Sequence, residues 1–131
     1  MYWGVYLLAA LVAAVILMQY SLYRRARRVE GQEAPDTSVL DGIAGRNSRK
    51  LYYFYARHCR PCKAMGPTIE RLRKEHPNLI KLDVAEAPDI ARQFGIVATP
   101  TFVLVEAGRI RRVRLGSMSQ RELLAMLLDP E

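Results

Sequence analysis

The chain has two cysteines, and they stand three residues apart in His58-Cys59-Arg60-Pro61-Cys62-Lys63. The flanks limit what this motif can be part of. An alternating apolar run, Leu51-Tyr52-Tyr53-Phe54-Tyr55-Ala56, leads into it, and a helical pattern from Lys63 to His76 leads out. The expected geometry is strand, short loop, helix, with both cysteines at the helix N-terminus. Positions three apart share a helix face, so the two sulfurs can meet without rearranging the backbone. The N-terminal end of a helix presents unpaired N–H groups and about half a positive charge, which favours a thiolate on the first, more exposed cysteine. A C-x-x-C beside a β-α-β pattern points to a dithiol redox site.

Other uses of two cysteines stay open at this level. Buried apolar cysteines rarely fall on one loop with a proline between them. A structural zinc site needs about four ligands, and the remaining candidates of the usual kind are His58 and the distant His76. A soft-metal site for copper or zinc built on His58, Cys59 and Cys62 is the binding-protein alternative. Covalent haem attachment requires a histidine directly after the second cysteine, where Lys63 stands.

The segment Phe54-Tyr55-Ala56-Arg57-His58-Cys59-Arg60-Pro61-Cys62-Lys63, followed by Met65, Gly66 and Pro67, resembles the thioredoxin signature F-x-A-x-W-C-G-P-C-K with its helix-kinking proline. Further along, Lys81-Leu82-Asp83-Val84 resembles the family's second core strand, and Gly95-Ile96-Val97-Ala98-Thr99-Pro100-Thr101 resembles its G-I-x-x-x-P-T segment. Ala107-Gly108 falls at the hairpin turn and Gly116 at the late glycine. The resemblance covers about Leu51 to Leu128. It implies a thiol–disulfide oxidoreductase with no bound cofactor and no resident metal. Cys59 is then the nucleophile and Cys62 the resolving thiol, while Thr99 and Pro100, the latter in the place of the family's cis-proline, form the substrate-docking edge. His58, Arg60, Pro61 and Lys81 are the residues expected to tune the site. Partners implied are protein disulfide substrates and an electron donor such as a thioredoxin reductase or another dithiol protein.

Two departures stand out. Tyr53 occupies the position of the family's buried acid, although the acid's lysine partner has a match in Lys81. His58 replaces the tryptophan before the nucleophile, which changes the surface a standard reductase would dock on. His58 and Arg60 both add positive charge, and nearby cations lower the pKa of C-x-x-C thiols to roughly 3.5–7.5. The couple should therefore be more oxidising than a plain thioredoxin.

The 131 residues suit one domain plus an appendage. The appendage opens the chain: from Tyr2 to Tyr23 there is no charged side chain, and Leu, Ala, Val and Ile dominate. A helix of that length spans about 33 Å, against about 30 Å of bilayer hydrocarbon. Tyr2, Trp3 and Tyr6 at one end and Tyr20 and Tyr23 at the other suit the two interfacial belts. A cleavable leader should begin with Lys or Arg, whereas the first charged side chain is Arg24, so residues 1–23 are expected to be an anchor contacting the membrane through residues 2–23. Arg24, Arg25, Arg27 and Arg28 follow directly. The positive-inside rule then places the rest of the chain in the cytoplasm. Many membrane-tethered thioredoxin relatives face the periplasm, where the alternative is a disulfide oxidase or electron relay.

Residues 24–36 form a basic juxtamembrane segment and polar linker, and 37–131 the thioredoxin-like domain. A short helix over Thr37–Gly45 leaves little room for the first strand and longer helix of a full thioredoxin, so the α/β fold should be trimmed at its N-terminus. Leu79–Val84 is expected to be a strand parallel to the first, Pro88–Phe94 a short helix, and Thr101–Glu106 with Arg109–Leu115 a hairpin. Ser119-Gln120-Arg121-Glu122 is a capping box opening a last helix that buries Leu123, Leu124 and Leu127. The formal net charge is +7, yet the arginines sit at the membrane flank and on an expected edge strand (Arg109, Arg111, Arg112, Arg114). Charged edges discourage strand pairing, so no nucleic-acid partner is expected.

Overall fold

The computed structural model describes residues 1–35 and 49–128. Helix α1 (Trp3–Arg27) comes first, then β1 (Arg49–Tyr55), α2 (Arg60–Glu75), β2 (Leu79–Asp83), α3 (Pro88–Gln93), β3 (Thr101–Glu106), β4 (Arg109–Leu115) and α4 (Gln120–Leu128). The four strands make one mixed sheet in the order β2-β1-β3-β4. β1 runs parallel to β2 and antiparallel to β3, and β4 returns antiparallel to β3. The expected Thr37–Gly45 helix lies outside the described residues.

Successive side chains of a strand point to opposite faces, and β1 uses both. Leu51 and Tyr53 join Phe102, Leu104 and Leu79 on the face covered by α2 and α4. Tyr52 and Phe54 join Ile80, Val103, Ile110 and Val113 on the other, covered by α3. That is why Leu51, Tyr52, Tyr53 and Phe54 are all buried. Phe94, at the end of α3, packs its ring 5.1 Å from Tyr52 and 5.4 Å from Phe54. Full burial of such a side chain stabilises by about 1.5–3 kcal/mol, so these rings hold α3 and the loop after it against the sheet.

Local chemistry sets the ends of the elements. Ala107 and Gly108 both have positive φ (52° and 77°), the type I′ geometry that matches the twist of a two-residue hairpin. At α4, Ser119 Oγ accepts the Glu122 N–H at 3.2 Å while the Glu122 carboxylate accepts the Ser119 N–H at 2.9 Å. That bond to the backbone, ahead of the Ser119 hydroxyl and Arg114, lowers the Glu122 pKa. α4 buries Leu123, Met126 and Leu127, with Leu124 half-buried against the same core.

The stretch expected to be a polar linker is not a free tether. Gly31 N–H donates to Ile110 O at 2.6 Å, Ile110 N–H to Gln32 O at 2.9 Å, and Ala34 N–H to Gly108 O at 2.8 Å. Glu30 Oε1 accepts the Val113 N–H at 3.0 Å, and Glu33 bridges Arg109. Residues 29–34 thus form a strap along the outer edge of β4. Its apolar ends, Val29 and Ala34, and Ala26 in the last turn of α1 pack on the α3 face of the sheet. The β4 edge, expected to rely on its arginines for protection, is covered by this strap along part of its length. α1 itself is long and apolar enough to cross a membrane, and residues 3–21 are exposed.

Candidate active site

Cys59 caps the N-terminus of α2. Its backbone is extended (φ −83°, ψ 111°), its carbonyl accepts the Lys63 N–H at 3.1 Å, and its Sγ accepts the Cys62 N–H at 3.3 Å. The sulfur therefore sits on an otherwise unpaired donor at the positive end of a 16-residue helix. Pro61, one residue into the helix, has no N–H to leave unsatisfied, the usual reason for proline in a first turn. Cys62 is in that same turn but faces the core, 5% exposed, whereas Cys59 is half-buried. The two form a disulfide, with Cα atoms 5.2 Å apart. His58, Arg60 and Pro61 are exposed around it.

The Thr99–Pro100 bond is cis. Thr101, the next residue, pairs with Phe54, so this bond lies at the end of the sheet from which β1 delivers the loop to Cys59. The Thr101 hydroxyl donates to Ala98 O at 2.6 Å, and Gly116 N–H donates to Pro100 O at 2.9 Å, which fixes the segment from both sides.

Tyr53 is 1% exposed, its ring stacked on Phe102 (4.9 Å) and Tyr55 (5.7 Å), and its hydroxyl donates to Cys62 O at 3.4 Å. Burial, with a smaller contribution from Tyr55, pushes its pKa up to about 12. The group below the buried cysteine is thus a neutral phenol. Lys81, expected as a tuning residue beside the dithiol, is engaged elsewhere: its Nζ lies 3.2 Å from Glu70 Oε1 and 4.5 Å from the centroid of the Tyr55 ring. With a phenol at residue 53, the ammonium takes the carboxylate on α2 instead. That contact is the leading reason the Glu70 pKa is lowered.

One contact was not anticipated. Arg57, two residues before Cys59, reaches the end of β2, with Nε 3.4 Å from Asp83 Oδ2 and a second nitrogen 2.8 Å from Glu86. Asp83 is buried and also accepts the Ala85 N–H at 2.9 Å. This clamp ties the loop before the nucleophile position to the sheet. Its one sequence signal is a buried acid at the strand end in parallel register with Tyr55. Among the described residues no three His, Cys, Asp or Glu side chains gather into a metal-binding group.

The sequence profile of the Thioredoxin family matches residues 35–129. Thioredoxin from Alicyclobacillus acidocaldarius is 35% identical over 97 residues, 72% of this chain and 91% of that one. A bifunctional thioredoxin reductase/thioredoxin from Mycobacterium leprae is 33% identical over 100 residues, 74% of this chain, which spans 22% of that longer protein. Among solved structures, oxidised mitochondrial thioredoxin 3 from Saccharomyces cerevisiae superposes with a TM-score of 0.58 at 32% identity, over 71% of this chain and 89% of that one. A mutant thioredoxin from Halobacterium salinarum gives 0.61 at 27% identity, over 72% and 84%.

Proposed function

We propose, because the chain belongs to the thioredoxin family and is a thiol–disulfide oxidoreductase, that it reduces protein disulfides from a membrane anchor, with residues 1–23 spanning the bilayer, 24–36 connecting and 37–131 carrying the dithiol. The observation that carries the assignment of roles is the unequal burial of the two sulfurs at the α2 N-terminus: Cys59 reachable, Cys62 5% exposed. In the reduced protein the Cys59 thiolate attacks one sulfur of a substrate disulfide, forming a mixed disulfide and releasing a substrate thiolate. Cys62 then loses its proton and attacks the Cys59 sulfur. The Cys59–Cys62 disulfide closes and the second substrate sulfur leaves as a thiol, so two electrons have passed from dithiol to substrate. A dithiol donor restores the reduced pair. Arg60 and His58 favour the thiolate by charge, and Thr99, beside the cis bond, offers backbone to an extended substrate segment.

The arginines after the span support a cytoplasmic domain: four basic residues in a short juxtamembrane segment dominate one α-amino group during insertion. There the glutathione pool keeps exposed dithiols reduced, which suits a reductase.

The full chain in detergent, driven by dithiothreitol, should reduce insulin disulfides. Cys59→Ser should abolish the activity, and Cys62→Ser should accumulate mixed disulfides. Stoichiometric copper or zinc on the purified chain, without reductase activity, would move the assignment to metal binding. For the topology, a C-terminal alkaline phosphatase fusion should stay inactive while a fluorescent-protein fusion is bright. The reverse result makes the periplasmic relay the better reading.

A further inference from the structure

The strap determines which end of the domain the anchor joins. Following the chain out of α1, Glu30 meets Val113, Gly31 and Gln32 meet Ile110, and Ala34 meets Gly108. The strap therefore runs antiparallel to β4 and begins near its C-terminal end. That end is the dithiol end, because Leu115 pairs with Thr101 and Thr101 with Phe54, in one row across the sheet. A second contact agrees: a Cβ added at Gly95, where the loop leading to Pro100 begins, would lie 3.0 Å from Val29 Cγ1. Ala26, 2% exposed, and half-buried Leu22 and Val29 bring the last turns of α1 onto the domain at this pole, while residues 3–21 project free of it.

We infer that this protein acts on disulfides carried by other membrane proteins close to the bilayer surface, because the docked strap holds Cys59 at the membrane-proximal pole. The inference rests on the membrane-anchored reductase reading above. From Tyr23 to Arg27 the helix rises about 6 Å. From β4 to β1 is two strand spacings, about 10 Å. Adding the short loop to Cys59, the dithiol lies on the order of 20 Å from the point where the span ends. A flexible linker of the same length would by itself extend about 20 Å, and with a domain about 30 Å across swinging on it would let the dithiol range over some 50 Å. Docking thus removes the tall part of the range. Val97, 41% exposed, adds an apolar tip to the same pole, suited to a partner surface close to lipid. The electron transfer is the dithiol-to-disulfide exchange already written.

The test places the reduced full chain in lipid nanodiscs with single-span reporters bearing one disulfide at graded heights on a rigid helical stalk. A small soluble disulfide serves as the activity control. Reporters with the disulfide near the bilayer should be reduced at least about tenfold faster than those placed high, as effective concentration dictates when geometry forbids the second encounter. A Gly-Ser tether inserted between Tyr23 and Arg24, which leaves the strap on β4, should bring the ratio to about one. Equal rates at all heights in the unmodified chain, or a ratio unmoved by the tether, would overturn the inference while leaving the reductase reading intact. Loss of activity on the soluble disulfide and on every reporter would sink both.

Discussion

Replacing Tyr53 by Phe asks whether the residue in the family's acid position has any part in proton transfer. The stack on Phe102 and Tyr55 keeps its shape in Tyr53→Phe, and what is lost is one hydroxyl with a 3.4 Å bond to Cys62 O. A net hydrogen bond of that kind is worth about 0.5–1.5 kcal/mol, and this one is long. With its pKa pushed up to about 12, the phenol is about 10⁻⁴ ionised at pH 8, too little to serve as the base for Cys62. The rate at which Cys62 resolves the mixed disulfide should therefore match wild type between pH 6 and 9 (roughly the range of thiol titration), read by stopped-flow on the full chain.

Stability should respond where catalysis does not. The folded pKa lies above the unfolded value of about 10, so the unfolded chain releases the proton first. The contribution is intact below pH 10 and lost as pH rises toward 12. Each unit is about 1.36 kcal/mol, so by pH 11 wild type should have lost roughly 1.4 kcal/mol that Tyr53→Phe keeps. Urea unfolding of both proteins at pH 9 and 11 cancels the lysines they share. A tenfold slower resolution step in Tyr53→Phe, or identical alkaline slopes, would refute the reasoning.

Arg60→Gly should lower the dithiol reduction potential, by about 30 mV for each tenfold lost in the equilibrium with glutathione, toward the roughly −270 mV characteristic of thioredoxin; an unchanged potential would mean that the exposed guanidinium does not act on the thiolate. Phe94→Ala should cost about 3–5 kcal/mol, measured by denaturant unfolding, because the ring fills the space between Tyr52 and Phe54. Ser119→Ala should cost about 1 kcal/mol in the same assay and leave insulin reduction unchanged, since the cap it removes belongs to α4.

The parts of this protein legible in its sequence are those in which a side chain carries the instruction. The Cys-x-x-Cys spacing, the reciprocal Ser119–Glu122 cap and the Ala107-Gly108 turn each require particular residue types, and each was found where expected. Lys81 shows that a position matched to the family does not by itself give the side chain's partner. Matched by position, it belonged with a buried acid, but a lysine follows the nearest carboxylate, and once Tyr53 fills the acid's place that carboxylate is Glu70. The Arg57–Asp83 clamp was missed for a related reason: the pairing is made between chain positions 26 apart, and neither residue belongs to a local pattern.

The strap was illegible for a deeper reason. Glu30, Gly31, Gln32 and Glu33 have no apolar period, and composition alone makes them a linker. They attach to β4 by backbone groups, which any sequence could supply, and by the Glu30 carboxylate on the Val113 N–H; Gly31, at φ 85°, Val29 and Ala34 carry the remaining side-chain preference for it. An edge strand invites such pairing because its outer N–H and C=O groups would otherwise bond only to water. Here the chain that takes this edge is the continuation of α1. The consequence reaches function through geometry alone. On the membrane-anchored reading proposed above, a segment with no chemistry of its own would fix the distance between the dithiol and the end of the anchor, and the height of a partner's disulfide above the bilayer would become part of substrate choice.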